Sequence, residues 1–298
     1  MRVFVGYLAV GLIHLLGLLN LRGAQRLGRF IGWLLWVRST RAKAVAQVNV
    51  DLCFPDWPES QRAELVRATL RHNGMTVAET GAAWGWSQAK GTALLAGIEG
   101  ESIMLEAVNA STGTLFIPVH LGNWEFFNHS LSGYGDRAGM YRPSKMPAFD
   151  RYMRESRARM GLGVMPTTRQ GVESLFEVLG RGGIAITFSD QEPKLARGGF
   201  SPFLCVSALT PKLPYELIQK TGCKVVFGYE ERLDDARGFK TNFIKPDDDI
   251  YSADIDVHLE AMNRTLEACI KPNLEQYQWS YKRFKRQPDG RDIYADCP

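Results

Sequence analysis

The sequence predicts an α/β protein: a mixed, largely parallel sheet flanked by helices, preceded by an N-terminal membrane-anchoring helix. Three observations lead there. From residue 114 onward, short apolar runs alternate with longer helical stretches, the pattern of strand–helix–strand units with helices on both faces of a sheet. Residues 3–21 are an apolar run broken by His14 and Asn20 alone. The 298 residues, 45% hydrophobic, suffice for one large core, and no Pro/Gly/Ser-rich linker or repeat divides them.

Taken in order, residues 3–21 match the ~20 apolar residues that cross a bilayer. A signal peptide is the competing reading, but no small-residue cleavage site follows. Arg22, Arg26, Arg29, Arg38, Arg41 and Lys43 come next, and no acid appears before Asp51. The positive-inside rule then keeps that side cytoplasmic, giving a single-pass anchor; a helix packed under the domain at the interface is the alternative. In residues 22–37, Arg22, Arg26 and Arg29 share one helical face opposite Leu27, Phe30, Ile31, Leu34 and Leu35, with Trp33 and Trp36 suited to headgroup level. That is an interfacial amphipathic helix, or else a core helix. The division expected is 1–37 as anchor and interfacial helix and 38–298 as the main domain.

A helix follows over about 58–86. Strands are expected at 114–119, around 138–141, 184–188, 224–229 and 240–244. Helices are expected at about 124–132, 147–160, 171–180, 208–221 and 255–270. The net charge of +4 is far from the dense basic stripe of a nucleic-acid binder and suits an anionic surface or acidic partner. Cys53, Cys205, Cys223, Cys269 and Cys297 are scattered and form no C-x-x-C pair, so they read as reduced thiols.

The most informative segment is residues 113–128, GTLFIPVHLGNWEFFN. A buried-strand pattern ends at His120, Gly122 and Asn123 break it, and a helix begins at Trp124. His120 and Glu125 are five apart; on one helix they would lie about 140° apart and could not meet. With His120 at a strand end and Glu125 in the first helical turn after the N-cap Asn123, they can. A carboxylate there holds an imidazole in one tautomer, as a base activating a hydroxyl requires. An isolated histidine would instead read as a core residue. Glu125 and His129 at i, i+4 could share a metal with His120, but H-E-x-x-H is absent and no further ligand set is visible. Residues 133–138, GYGDRA, fit a dinucleotide fingerprint but follow a helix and not a strand. There is neither a G-x-S-x-G elbow nor a P-loop.

His-x4-Glu after a strand is similar to the signature of glycerolipid-type acyltransferases. The longer string VHLGNWE resembles the bacterial lipid A late acyltransferases, the lauroyl and myristoyl transferases of lipopolysaccharide assembly. Ile98-Glu99-Gly100-Glu101, Tyr141-Arg142-Pro143, Phe188-Ser189-Asp190-Gln191 and Gln276-Tyr277-Gln278-Trp279 through Arg283-Phe284-Lys285 occur in that family's order, and residues 49–55 resemble its N-terminal part.

The resemblance implies an inner-membrane enzyme acting on the cytoplasmic face, without metal or other cofactor. It would move a fatty acyl chain from acyl carrier protein to a hydroxyl of an acyl chain on a lipid A precursor. His120 and Glu125 would be catalytic. Asn123, Arg142, Asp190 and Gln191 would bind substrate: Asn123 and Gly122 through backbone N–H donors to the oxyanion, Arg142 by gripping phosphate, Asp190 and Gln191 at the rim. Arg142 as a strand-end ion pair and Asp190 as a loop cap stay open. Arg151, Arg154, Arg157 and Arg159, against Glu155, offer a dock for the acidic carrier or a solvated face. The aromatic–cationic residues 279–286 would bind headgroup phosphate or carrier, or stabilise the end of the fold. Alternatives are the same chemistry on another lipid or with acyl-CoA, a non-catalytic lipid-binding protein, and a hydrolase.

Overall fold

The computed structural model describes residues 2–297. Four helices come first: α1 (Arg2–Gly17), α2 (Leu21–Val37), α3 (Arg41–Cys53) and α4 (Glu59–Gly85). The alternating part follows: α5 (Gln88–Thr92), β1 (Leu95–Glu99), α6 (Glu101–Val108), β2 (Thr114–Gly122), α7 (Phe127–Ser130), β3 (Arg137–Tyr141), α8 (Pro147–Arg159), β4 (Leu162–Pro166), α9 (Arg169–Gly180) and β5 (Ile184–Ile186). A hairpin of β6 (Gly198–Phe203) and β7 (Val206–Pro211) then leads to α10 (Leu213–Thr221), β8 (Lys224–Arg232), β9 (Phe239–Ile244) and α11 (Ile255–Ile270).

Seven strands form one sheet in the order β1-β9-β8-β2-β5-β3-β4. All neighbours run parallel except β8 and β9, which are antiparallel. β2 lies at the centre and is buried throughout, apart from partly buried His120. Its apolar residues divide by face. Leu115, Ile117 and Val119 join the cluster built by α9, α10 and α11, whereas Phe116 packs with Met104 of α6 and Phe127 of α7. A strand covered on both faces has no polar side to show, which explains its unbroken apolar run.

The N-terminal anchor is not supported. Among the described residues no helix is long and apolar enough to cross a membrane. The apolar run is interrupted after Gly17, and Asn20 caps the next helix by accepting from the Gly23 amide at 2.8 Å. The 16 residues of α1 span about 24 Å at the α-helical rise, short of a ~30 Å hydrocarbon core. α1 is also docked: Ile13 and Leu16 are buried, Trp86 donates to the Gly17 carbonyl at 2.8 Å, and a Cβ on Gly81 would run into Gly17 and Leu16. α2 lies as close to α4, where a Cβ on Gly74 would strike the Gly28 carbonyl. Both helices are thus walls of the domain. The outer face of α1 nevertheless leaves Phe4, Tyr7, Leu8, Leu12 and Leu15 exposed, as is Leu18 in the turn that follows.

Two expected helices differ. The helix over 124–132 is a 3₁₀ turn (Trp124–Phe126), the single turn of α7 and a second 3₁₀ turn (Leu131–Gly133). The helix over 208–221 begins at Leu213, with Pro214 in its first turn, because the preceding residues pair with β6. β1, β4 and the β6–β7 hairpin were not expected from the sequence. β1 and β4 are edge strands of five residues, none of them fully buried, so they carry little apolar signal.

Candidate active site

The parallel pairing of β2 with β5 sets the centre of the site. Phe116 stands opposite Ile186, and the Thr187 amide extends the contact by donating to the Phe116 carbonyl at 3.1 Å. Four residues further along each chain come His120 and Asp190, brought together by that register at the carboxyl-terminal mouth of the sheet. Asp190 holds His120 at two points. The His120 amide donates to Oδ2 at 2.9 Å, and ring Nδ1 lies 2.7 Å from Oδ1. A carboxylate only accepts, so Nδ1 carries a proton, and in the neutral ring Nε2 is bare. Gln191 Nε2 lies 3.4 Å from that nitrogen and donates to Gln278 Oε1 at 3.1 Å. Phe188 and Trp124 flank the ring at centroid distances of 4.2 and 4.9 Å. The imidazole is 14% exposed and Asp190 1%.

Glu125 does not hydrogen-bond His120 in this arrangement. Its carboxylate accepts from Arg157 NH2 at 2.6 Å and Nε at 3.2 Å, and from Trp84 Nε1 at 2.8 Å. Burial pushes its pKa up, but Arg157 and Trp84, with His120 nearby, outweigh that and hold it below the usual carboxylate range. Glu125 therefore stands beside the histidine as a fixed negative charge, and the task of orienting the ring falls to Asp190. Arg157 also changes the reading of the basic stripe. Arg157 is spent inside on Glu125, whereas Arg151, Arg154 and Arg159 are exposed, Arg159 donating to the Trp84 carbonyl at 2.9 Å.

The turn after His120 is clamped from below. Gly122 has φ of +62°, and a Cβ there would strike the Glu230 carbonyl, so the position requires glycine. Arg232 NH2 and Thr76 Oγ1 both donate to the Gly122 carbonyl, at 3.1 and 2.9 Å. Arg232 is itself gripped by buried Glu79 in a bidentate pair, Nε–Oε1 2.8 Å and NH2–Oε2 2.7 Å. Asn123 Nδ2 donates to Glu79 Oε2 at 3.0 Å, and its Oδ1 accepts from the Glu125 amide at 3.3 Å. The Asn123 amide is engaged by the Glu230 carbonyl at 3.3 Å. Asn123, expected as a substrate and oxyanion donor, is thus committed on both backbone and side chain to holding the turn.

Arg142 follows β3 at the same mouth of the sheet, two strands from β2 and so about 10 Å across. It is exposed and, among the described residues, has no carboxylate partner. The C-terminal segment is tied to the strand end and to α3. The Gln278 amide donates to the His120 carbonyl at 3.0 Å, Leu121 bridges Tyr277, and Asn49 Nδ2 donates to the carbonyls of Trp279 and Tyr281 at 2.6 and 2.7 Å. Buried Arg283 donates to the Leu209 carbonyl at 2.7 Å. The partners the sequence did not reveal are Arg157, Trp84, Glu79 and Arg232. None lies near the His120 motif in the chain, and no local spacing signals them.

Glu230 of β8, fully buried, accepts at Oε1 from Ser130 at 2.5 Å and Thr241 at 2.9 Å. Burial pushes its pKa up from 4.5 to about 7 despite these donors. The folded chain therefore holds a proton there that the unfolded chain has released, and stability should fall as pH rises from about 4.5 to 7. Glu125, shifted the other way, adds its own slope below that window. Glu230→Gln should remove the Glu230 loss, so denaturant midpoints of parent and variant should diverge progressively towards pH 7. Parallel curves for the two would show that Glu230 does not titrate in this range.

Residues 1–286 match the family model described as bacterial lipid A biosynthesis acyltransferase. A lipid A biosynthesis acyltransferase of Haemophilus influenzae is 28% identical over 90% of this chain and 86% of its own. The lipid A biosynthesis lauroyltransferase of Escherichia coli is 25% identical over 97% of this chain and 94% of its own. The palmitoleoyltransferase of that organism is 26% identical over 89% and 85%. A match that takes in His120, Glu125, Arg142, Asp190 and the C-terminal segment places this chain in the bacterial lipid A biosynthesis acyltransferase family.

Proposed function

We propose that this acyltransferase moves a fatty acyl chain from acyl carrier protein to a hydroxyl of an acyl chain on a lipid A precursor, with His120 as general base. One observation carries the reading: Nδ1 of His120 is occupied by Asp190, while Nε2 is bare and meets only the Gln191 amide. An incoming hydroxyl that replaces this amide contact gives its proton to Nε2 as its oxygen attacks the thioester carbonyl. The tetrahedral intermediate then collapses, the carbon–sulfur bond breaks, and the imidazolium protonates the leaving thiolate. Asp190 keeps the ring in the required tautomer and faces the positive charge that develops on it. Glu125, fixed by Arg157, adds a second negative charge nearby, a role for the pair that acts through space. Arg142, exposed at the same mouth, is suited to a phosphate of the acceptor.

The acceptor is a lipid, and the outer face of α1 with Leu27, Phe30 and Trp33 of α2 supports attachment at the inner-membrane surface, with Arg22 and Arg26 toward anionic headgroups. Leu8→Glu/Leu15→Glu alters exposed positions and should leave folding intact while reducing flotation with anionic vesicles several-fold. Flotation equal to that of the parent would remove α1 from the binding surface.

The chemistry has a direct test. His120→Ala should lower kcat by about 10²–10⁴-fold. In Asp190→Asn the side-chain amide donates to Nδ1 and forces the proton onto Nε2, so kcat should fall to a similar extent with little change in acceptor KM. Glu125→Gln should fall less. Transfer by purified His120→Ala within a few-fold of the parent would exclude His120 as the base.

A further inference from the structure

We infer a second anion site, a pocket for a phosphomonoester, between α2, α4 and the end of β8, on the far side of the Gly122 clamp. The inference does not depend on acyl transfer and is tested without turnover. A cavity of about 190 Å³ opens there, lined by Gln25, Arg29, Arg71, His72, Arg232 and Asp234. A single water needs only ~10–15 Å³ of such space.

Beside apolar Met75 and Leu233, the lining is rich in donors. Arg29 and Arg71 have no carboxylate within 4.0 Å among the described residues. Arg232, fastened by Glu79 through Nε and NH2, directs NH1 at His72 Nδ1 at 3.0 Å and keeps its second NH1 hydrogen uncommitted. A guanidinium always donates, so Nδ1 of His72 accepts and Nε2 carries the ring proton. Burial, with Arg232, Arg71 and Arg29 around it, pushes His72 down to about 3. His72 is therefore a neutral donor at neutral pH, and of the cations around it Arg232 is paired with Glu79 while Arg29 and Arg71 have no carboxylate partner among the described residues. Glu79 is already saturated by Arg232, Gln25 and Asn123. Asp234, the other acid, is exposed, whereas Arg232 is buried at the inner end. Three guanidiniums and a neutral imidazole N–H converging on one cavity suit the several acceptor oxygens and double charge of a phosphomonoester.

The pocket touches the catalytic turn. Arg232, which would meet the anion through NH1, holds the Gly122 carbonyl through NH2. Arg29 and Phe30 are both exposed on α2, the helix proposed to meet the membrane, so a lipid headgroup and a free phosphate share the chemistry recognised.

The experiment titrates inorganic phosphate into the full chain at constant ionic strength and follows the His72 ring by NMR. Phosphate should shift the His72 resonances saturably and raise its pKa, while chloride should not. Arg71→Gln should weaken the apparent Kd about tenfold or more, and Arg29→Gln/Arg71→Gln should abolish saturation. Both arginines lie outside the catalytic machinery, so acyl transfer by the variants separates failure here from failure of the His120 reading. Vesicles of phosphatidylcholine with phosphatidic acid, against charge-matched phosphatidylglycerol, distinguish the source. A preference for phosphatidic acid lost in the double variant assigns the pocket to a lipid phosphomonoester. Phosphate binding without that preference assigns it to a soluble one. A His72 response to phosphate no greater than to chloride, or unchanged by the double variant, overturns the site.

Discussion

Two hydrogen bonds from His120 to one buried carboxylate, Asp190, hold the candidate site together. One fixes the backbone at the end of β2 and the other fixes the ring, so the strand end and the base are set by the same group. Neither bond would exist without the parallel register of β2 and β5, which carries the two chains in step to the mouth of the sheet. Unpaired, Asp190 would be a costly buried charge; paired in this way it makes the histidine directional.

The rest of the interior supports that arrangement from behind. The Glu79–Arg232 pair is buried, bidentate and surrounded by Gln25, Thr76, His72 and Asn123, so nearly every polar atom in the group has a partner. Its product is a Gly122–Asn123 turn that cannot shift without breaking several bonds at once. Breaking a buried pair by removing one partner typically costs about 3–5 kcal/mol, so this network fixes geometry as well as stability. The Glu125–Arg157 pair plays the same part on the other side of His120, tying α8 to the 3₁₀ turn.

The sequence revealed those features whose signal is local. The apolar run of β2, the punctuation at Gly122 and Asn123, the bounds of α4 and α11 and the candidates His120, Asp190 and Gln191 are all read from neighbours in the chain. The edge strands were not legible because they bury little, and the end of the hairpin, residues 208–211, was read as the start of the following helix. The pairing of His120 was misassigned for a different reason. Spacing within the motif points to Glu125, but the bond goes to Asp190, seventy positions away, through a strand register that no local pattern encodes. The N-terminal run has the length of a membrane span, yet Asn20 and the glycine contacts of Gly17 with Gly81 make it a shorter helix docked on the domain.

The central claim is that Asp190 fixes His120 with its proton on Nδ1 and leaves Nε2 as the base. Nitrogen-15 NMR of the His120 ring in the full chain at neutral pH measures this directly. The account predicts a protonated Nδ1, an unprotonated Nε2, and reversal of that pattern in Asp190→Asn. A parent protein with the proton on Nε2 would contradict it.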